Sequence, residues 1–279
     1  MKWNIQKPND NIINMYNKEL NTNDILSSIL INRDIKLDDA YKLLNSPYEL
    51  LNNPYELHGV TEAIDTILKH IDNNSEIHIF ADFDVDGITS GFVMTDGLQK
   101  ICDNNIYPYY PQRTEGFGIN MDYVNTAIER NKHIDHDMLI ITVDNGTTRV
   151  NEINKLIDNG IDVIVTDHHE PKEELPKCTI VNPFASNDID FQSLSGCGVV
   201  FQILYALYGK LNIPFVDDYL YATTLGTIAD IMPLDINNLA LCKMGMDQLN
   251  NNVPDNIKAF IKCIGLNKIN SQDIAWEIS

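Results

Sequence analysis

The sequence predicts an α/β fold in which a mostly parallel sheet is flanked by helices, with a helical lead-in before it and a helical C-terminal part after it. Apolar runs rich in β-branched residues alternate with helix-length segments between residues 77 and 183. Such alternation is typical of parallel strands joined by right-handed crossovers. From residue 195 onward the sequence is predominantly helical in pattern, which places the C-terminal helices after the sheet.

The first part of the chain is predicted to be helical. Residues 10–57 read as helices with breaks, and the segment 61–72 carries one apolar helical face, formed by Ala63, Ile64, Ile67, Leu68 and Ile71. Apolar residues three and four positions apart lie on the same side of a helix. We therefore divide the chain into a lead-in at 1–59 and a main domain at 60–279.

The elements of the main domain follow in order. The run 138–144 is almost continuously apolar, as expected for a strand that is covered on both faces. Comparable runs predict the other strands, so that the predicted strands are 77–83, 138–144, 161–167 and 178–183. The predicted helices are 88–102, 149–160, 196–211, 217–231, 237–251 and 255–266.

Composition limits the possible functions. The net charge is −20, from 40 acidic against 20 basic residues, which argues against broad binding of a phosphate backbone by a basic surface. Nucleic acid is not excluded, because bound cations reverse the sign of the charge locally. The five cysteines are scattered without a CxxC pair, so we expect a reducing, cytoplasmic compartment. We expect no membrane span and no secretory signal, since no long apolar run occurs.

Acidic residues follow three of the predicted strands. Asp82, Asp84 and Asp86 follow the first, Asp144 ends the second, and the run Asp167-His168-His169 ends the third. The carboxyl ends of parallel strands meet along one edge of the sheet, where ligands bind in open α/β folds. We therefore expect these acids to converge.

Converging carboxylates need a counter-charge, because like charges at short range raise one another's pKa and destabilise the fold. Oxygen ligands with one imidazole suit Mn²⁺ or Mg²⁺. A fourth acid, Asp230, follows an apolar run and precedes Pro233. Four carboxylates (Asp84, Asp86, Asp144 and Asp230) carry about −4, which two divalent ions about 3.5–4 Å apart would balance while activating a water for attack on a phosphate.

Each motif alone has a simpler interpretation. The DxDxDG run could be a calcium loop or a solvated turn, although it is not an EF-hand, since position 12 counted from Asp82 is Val93. The DHH run could cap a helix, and a single acid at the end of a strand or helix, such as Asp144 or Asp230, is often structural. The joint order of the motifs on alternating strands is more specific than any one of them.

The motifs together resemble the DHH phosphoesterase superfamily and, within it, the RecJ-type single-stranded-DNA exonucleases. The resemblance covers roughly residues 60–250 and depends on the runs ADFDVDGITS, YYPQRTEGFGIN, LIITVDNGTT, VIVTDHHEPKEELPKCTIVNP, LSGCGVVFQILYAL and LGTIADIMPL. PQRTEGFGIN and GTIADIMPL are the most specific to the RecJ branch. On this resemblance, residues 60–279 are a catalytic DHH domain.

The resemblance implies ligands for two metal ions, Mn²⁺ or Mg²⁺. Asp84 and Asp144 would hold one ion, and Asp144 would bridge to a second ion held also by Asp86, His168 and Asp230. Some relatives carry a metal-binding His where this chain has Phe80, so occupancy by one ion stays open. Asp82 and Asp167 would support the ligands from outside the coordination sphere, and His169 would face the scissile phosphate as a catalytic and substrate-binding residue.

Two further segments carry alternatives. Arg113 is a candidate phosphate contact, and an ion pair with Glu115 is the competing interpretation. The glycines of SGCGVV, Gly196 and Gly198, could line the substrate or serve helix packing, and we expect packing.

The implied function is metal-dependent hydrolysis of single-stranded DNA from its 5′ end to mononucleotides by two-metal catalysis. The alternatives are a phosphodiesterase for short oligonucleotides or cyclic dinucleotides, and a non-catalytic scaffold that works with a partner chain. RecJ-type enzymes continue into a second domain that binds nucleic acid, whereas this sequence ends at Ser279. Three interpretations stay open: a missing C-terminal domain supplies the strand-binding surface, a partner chain supplies it, or the chain is a minimal enzyme.

Overall fold

A computed structural model describes residues 6–215, 218–266 and 268–278 of the protein, and the predictions for residues 1–5, 217 and 279 lie outside them. Five strands form the sheet: β1 Glu76–Ala81, β2 Ile106–Tyr109, β3 Met138–Val143, β4 Asp162–Thr166 and β5 Thr179–Val181. Their order is β2-β1-β3-β4-β5, and every pair of neighbours is parallel. The predicted α/β class is confirmed.

Helices precede, cross and follow the sheet. Their bounds are α1 Asp10–Leu20, α2 Asp24–Asn32, α3 Leu37–Asn45, α4 Val60–Asp72, α5 Val85–Gln99, α6 Met121–Asn131, α7 Val150–Ile157, α8 Pro183–Ser186, α9 Gly196–Leu211, α10 Leu220–Ala229, α11 Ile236–Asn251, α12 Asp255–Cys263 and α13 Ser271–Asp273. A π-helical turn follows at Ile274–Ile278, and short 3₁₀ turns lie at Pro47–Leu50, Pro54–Glu56, Arg113–Glu115 and Ile189–Phe191. None of the helices in the described ranges is long and apolar enough to cross a membrane.

Both faces of the sheet are buried, which explains the continuous apolar runs. On β1, Ile77 and Ile79 belong to one apolar core while Phe80, on the opposite face, belongs to a second. Helices α4, α5 and α9 contribute to the first core, and α6 and α7 contribute to the second. The sheet therefore separates two helical layers.

The lead-in packs against the C-terminal helices. Residues of α1, α2 and α3, among them Tyr16, Leu30 and Leu43, share a third core with Ala240 of α11. The hydroxyl of Tyr16 also donates to the carbonyl of Ile35 at 2.9 Å. The domain boundary at residue 59 stays a prediction.

Two elements between residues 103 and 137 were not predicted from the sequence. Strand β2 lies at the edge of the sheet, is only half-buried, and contains Pro108. A proline confines a strand to an edge and weakens its sequence pattern. Helix α6 carries many polar residues around a narrow buried face of Val124, Ala127 and Ile128.

Helix α5 starts earlier than the sequence predicts. The predicted start is residue 88, whereas the helix begins at Val85, because the side chain of Asp84 accepts a hydrogen bond from the amide of Gly87 at 2.9 Å. An Asp in this position satisfies one of the free amides at a helix start. The capping brings Asp86 into the first helical turn.

Candidate metal centre at the carboxyl edge of the sheet

The strand register brings the acids together. Ala81 pairs with Val143, and Val143 pairs with Thr166. Asp82 directly follows Ala81, Asp144 follows Val143, and Asp167 follows Thr166. The pairing therefore places these three acids at the same edge of the sheet. All three are buried and so are shielded from solvent.

Asp82 leaves β1 in a tight turn. Its Oδ1 accepts from the amide of Phe83 at 2.8 Å, while its Oδ2 is buried without a hydrogen-bond partner among the described residues. The turn requires glycine at position 87, because a Cβ there would lie 2.6 Å from the backbone of Asp82. The sequence resemblance places Asp82 outside the coordination sphere. That role stays a prediction, and in the structure a carboxylate oxygen of Asp82 lies within 4.8 Å of those of Asp84 and Asp144.

Asp144 has a left-handed backbone, with φ of +62°, a conformation that Asp tolerates better than most residues. Its amide donates to the carbonyl of Thr166 at 2.9 Å. The next residue, Asn145, donates through Nδ2 to the carbonyls of Val143 at 2.9 Å and Phe80 at 3.2 Å. These bonds tie the turn to both neighbouring strands. Oδ1 of Asp144 is buried and accepts no hydrogen bond of good geometry in the described part of the chain, with Nε2 of His168 as a polar neighbour at 3.1 Å.

Asp167 holds the histidine pair. Its Oδ1 accepts from the amides of His168 at 2.8 Å and His169 at 3.1 Å, and contacts Nδ1 of His169 at 2.7 Å. Its Oδ2 accepts from the amide of Thr147 at 2.9 Å. Asn182, at the end of β5, donates to the carbonyl of His169 at 2.9 Å and to Oγ1 of Thr147 at 2.8 Å. Both oxygens of Asp167 are thus engaged in orienting this turn.

The imidazole of His168 points into the acids. Its Nε2 lies 3.1 Å from Oδ1 of Asp144, 3.6 Å from Oδ2 of Asp230 and 3.7 Å from Oδ2 of Asp86. Asp230 comes from the C-terminal end of α10, so the fourth acid joins those of the sheet edge.

Three sets of side chains have ligand atoms within 4.8 Å of one another. They are Asp86, His168 and Asp230; Asp82, Asp84 and Asp144; and Asp144, His168 and His169. Asp144 belongs to two of these sets.

Burial raises the pKa of three of the acids, Asp82, Asp86 and Asp144. Burial raises the pKa of Asp82 to about 6 and also raises the pKa of Asp86. Burial, followed by the negative charges of Asp86 and Asp84, raises the pKa of Asp144 well above its usual range. The hydrogen bond to Asp167 raises the pKa of His169. The unpartnered buried oxygens of Asp82 and Asp144, in a set of oxygen and imidazole donors, fit a divalent cation such as Mn²⁺ or Mg²⁺.

The sequence did not indicate the part that helix α9 takes in this site. The amides of Gly196 and Cys197 donate to the carboxylate of Asp86 at 2.6 and 3.0 Å. Gly196 thus contacts an acid of the site, whereas the three atoms nearest to a Cβ on Gly198 belong to Leu194. The packing interpretation stays a prediction for both glycines. The available signal was Ser195, a helix N-cap residue directly before glycines.

Arg113 lies beside an aromatic series that leads to the histidines. Its Cζ is 5.5 Å from the centre of the Phe83 ring. Phe83 meets Phe117 edge-on at 6.3 Å, and Phe117 meets His169 edge-on at 5.3 Å between ring centres. Within the described ranges, Arg113 forms no ion pair with Glu115, whose carboxylate accepts instead from the hydroxyl of Tyr109 and the amide of Gln112. A phosphate contact by Arg113 stays a prediction.

Comparison with known sequences supports this geometry. The model of the DHH family, N-terminal domain, matches residues 76–227, which include the strand-end acids and both histidines. The single-stranded-DNA-specific exonuclease RecJ of Bacillus subtilis (strain 168) is 33% identical over 100% of this chain and 35% of its own length. The RecJ of Escherichia coli (strain K12) is 34% identical over 68% of this chain and 35% of its own length. The chain thus spans about a third of the length of these relatives.

Solved structures give the same result. An exonuclease RecJ bound to manganese superposes with a TM-score of 0.72 at 31% identity, covering 82% of this chain and 56% of that one. RecJ of Thermus thermophilus in complex with Mn²⁺ superposes with a TM-score of 0.80 at 26% identity, covering 98% of this chain and 38% of that one. With a family match over more than half of its length and the family's acids and histidines assembled at one edge of the sheet, the chain belongs to the DHH family and, within it, resembles the RecJ-type exonucleases.

Proposed function

We propose that this chain is the catalytic part of a divalent-metal-dependent phosphodiesterase that hydrolyses single-stranded DNA from the 5′ end to mononucleotides. One observation carries the proposal: carboxylates from three separate segments converge with the paired histidines of a fourth within ligand distance. The similar RecJ proteins are single-stranded-DNA-specific exonucleases by name, and two of their structures contain manganese. Residues 60–279 would form the catalytic domain and residues 1–59 the helical lead-in.

The ligand sets suggest how two ions would be held. Asp82, Asp84 and Asp144 would hold one ion, and Asp86, Asp144, His168 and Asp230 would hold the other. Bound divalent cations supply charge neutralisation and Lewis-acid activation of water and phosphate. Including Asp82 compensates for Phe80, which is fully buried against Tyr109 and Tyr123 and offers no ligand atom.

His169 is placed to contact the phosphate. Its Nδ1 is engaged by Asp167 at 2.7 Å, which leaves Nε2 as the nitrogen available to a substrate, and its side chain is 39% exposed. The carboxylate fixes the ring orientation and the proton on Nδ1, a common arrangement for a histidine that acts on a substrate. Asp167 would therefore orient His169 and bind no phosphate itself.

Binding of the strand requires more than the acids. With a net charge of −20, the chain offers little general attraction for a phosphate backbone. We propose that Arg113 contacts a phosphate near the metal centre. Further strand-binding surface would come from a partner chain, or from regions like those that make up the other two thirds of the RecJ relatives, which this chain does not match.

The test uses purified protein, Mn²⁺ and 5′-labelled single-stranded DNA, with Asp144→Ala in parallel. We expect release of labelled mononucleotide by the unmodified chain, loss of release in the variant, and no release from blunt duplex. Equal activity in the variant would refute the proposal. Activity confined to dinucleotides or short oligonucleotides would favour the alternative substrate class. A ladder of progressively shorter 5′-labelled fragments, formed before any labelled mononucleotide, would contradict the 5′ polarity.

A further inference from the structure

The first residues of helix α9 contact Asp86, an acid of the candidate metal centre. The carboxylate of Asp86, which is 2% exposed, accepts the amide of Gly196 on Oδ2 at 2.6 Å and the amide of Cys197 on Oδ1 at 3.0 Å. These residues are 110 and 111 positions apart in sequence from Asp86. Free amides at a helix start carry partial positive charge and favour an anion. Backbone groups therefore set the orientation of this carboxylate.

The close approach of α9 to Asp144 and of α10 to Asp86 depends on two glycines, one in each helix. A Cβ on Gly196 would lie 2.5 Å from both Cβ and Oδ1 of Asp144. A Cβ on Gly226, in α10, would lie 2.3 Å from Oδ1 of Asp86. Neither approach is possible for real atoms, so a side chain at either position would displace an acid or a helix. The oxygen that Gly196 faces, Oδ1 of Asp144, is buried and accepts no hydrogen bond of good geometry among the described residues, although Nε2 of His168 lies 3.1 Å away. The oxygen and the ring nitrogen together are a donor pair for a ligand at this place.

We propose that Gly196 and Gly226 are positioning residues for the metal centre. Their lack of side chains lets α9 and α10 approach Asp144 and Asp86, and the α9 amides hold Asp86 in its ligating orientation before an ion binds. Groups that hydrogen-bond to ligating carboxylates tune metal affinity in this way. The inference rests on the proposed metal centre and adds the residues that preorganise it.

The test measures Mn²⁺ binding to the metal-stripped chain by titration calorimetry. Gly196→Ala and Gly226→Ala are each expected to raise the Kd of at least one ion by about 10- to 100-fold, the range for loss of an outer contact to a ligand. The controls are Gly209→Ala, in the same α9 but with nothing within 4 Å of its Cβ, and Gly198→Ala, whose three nearest neighbouring atoms all belong to Leu194, at 3.1 Å or more. Both are expected to bind Mn²⁺ as the unmodified chain does.

The outcomes separate the two levels of inference. Absence of Mn²⁺ binding by the unmodified chain would overturn the metal centre itself. Normal binding by the unmodified chain and by both Gly196→Ala and Gly226→Ala would overturn only the positioning role. Circular dichroism and the thermal midpoint check folding. If Gly226→Ala is too unstable to titrate, the double variant Gly226→Ala with Asp86→Ala removes the nearest overlapping oxygen. It is expected to recover part of the thermal midpoint, since the approach to Oγ1 of Thr89 at 2.8 Å remains, and a midpoint no higher than that of Gly226→Ala would refute the overlap with Asp86.

Discussion

The Nε2 atom of His168 lies 3.1 Å from Oδ1 of Asp144, although the two residues follow different strands. The pairing of Val143 with Thr166 in the parallel ladder brings the two strand ends level, and the left-handed backbone of Asp144 turns the chain directly after β3. The contact lies within one ligand set, formed by Asp144, His168 and His169, and Asp144 also belongs to a second set with Asp82 and Asp84. Substitution of Asp144 therefore affects both sets, whereas substitution of most other acids affects one.

Asp144→Ala is predicted to abolish hydrolysis of single-stranded DNA, while Asp82→Ala is predicted to reduce it less. Asp144 offers an oxygen to two of the three ligand sets, and Asp82 offers one to a single set. The loss in Asp144→Ala should exceed the roughly 10- to 100-fold that removal of an outer contact causes. Rates measured at saturating Mn²⁺ check this. Equal losses in the two variants would contradict a shared role for Asp144.

Asp144→Asn is predicted to stabilise the metal-free protein. The substitution removes one negative charge from a buried group whose neighbours, Asp86 and Asp84, are also acidic, and a buried, unsatisfied charge costs about 1 to 3 kcal/mol or more. Chemical denaturation in the presence of a chelator at neutral pH should show a higher free energy of unfolding for the variant. Added Mn²⁺ should then stabilise the unmodified chain more than the variant, because only ions that bind the native state add stability. A less stable metal-free variant would argue against charge crowding.

Asp167→Asn is predicted to lower the rate of hydrolysis by about 10- to 100-fold, as loss of a group that orients a ligand does. Oδ1 of Asp167 contacts Nδ1 of His169 and accepts from the backbone amides of His168 and His169. The carboxamide of Asn at this position would disturb the orientation of the His169 ring. Asp162→Asn is the matched control, since Asp162 starts the same strand at the opposite edge and contacts Lys69 and His70. Mn²⁺ affinity and activity should be unchanged in the control. An equal loss of activity in both variants would indicate a general effect on β4.

The strand-end acids were predictable from the sequence because each is marked by the apolar run directly before it. Each follows a short apolar run directly, as Asp144 follows β3, and a parallel sheet brings such ends together. Asp230 was predicted chiefly through the family resemblance, because the position of a residue at a helix end depends on helix packing. Its place in the site follows from the approach of α10 to Asp86 at Gly226.

The role of Gly196 was not predictable because it depends on atoms that are distant in sequence. A glycine before an apolar helix has the same local pattern whether it packs against Leu194, as Gly198 does, or against Asp144, as Gly196 does. Strand β2 was missed for a related reason. Its edge position and Pro108 remove the apolar alternation that identifies a half-buried strand.

Glu76→Gln is predicted to reduce stability at neutral pH and to have little effect near pH 2. Glu76 is buried and paired with the guanidinium of Arg130 at 2.6 and 2.8 Å, and this hydrogen bonding lowers the pKa of Glu76 to about 2. A carboxyl with a lowered folded-state pKa adds stability above its unfolded pKa of 4.5 and loses it as the pH falls towards the folded value. Because Arg130 is 43% exposed, we expect a difference of about 2 kcal/mol after allowing for solvent screening. Urea unfolding from pH 7 to pH 2 measures this difference. Glu129→Gln, which removes an exposed pair with Lys132, is the control and is expected to change stability little at any pH, since exposed ion pairs contribute little. A difference between Glu76→Gln and the unmodified chain that stays constant down to pH 2 would show that the ion pair is not its cause.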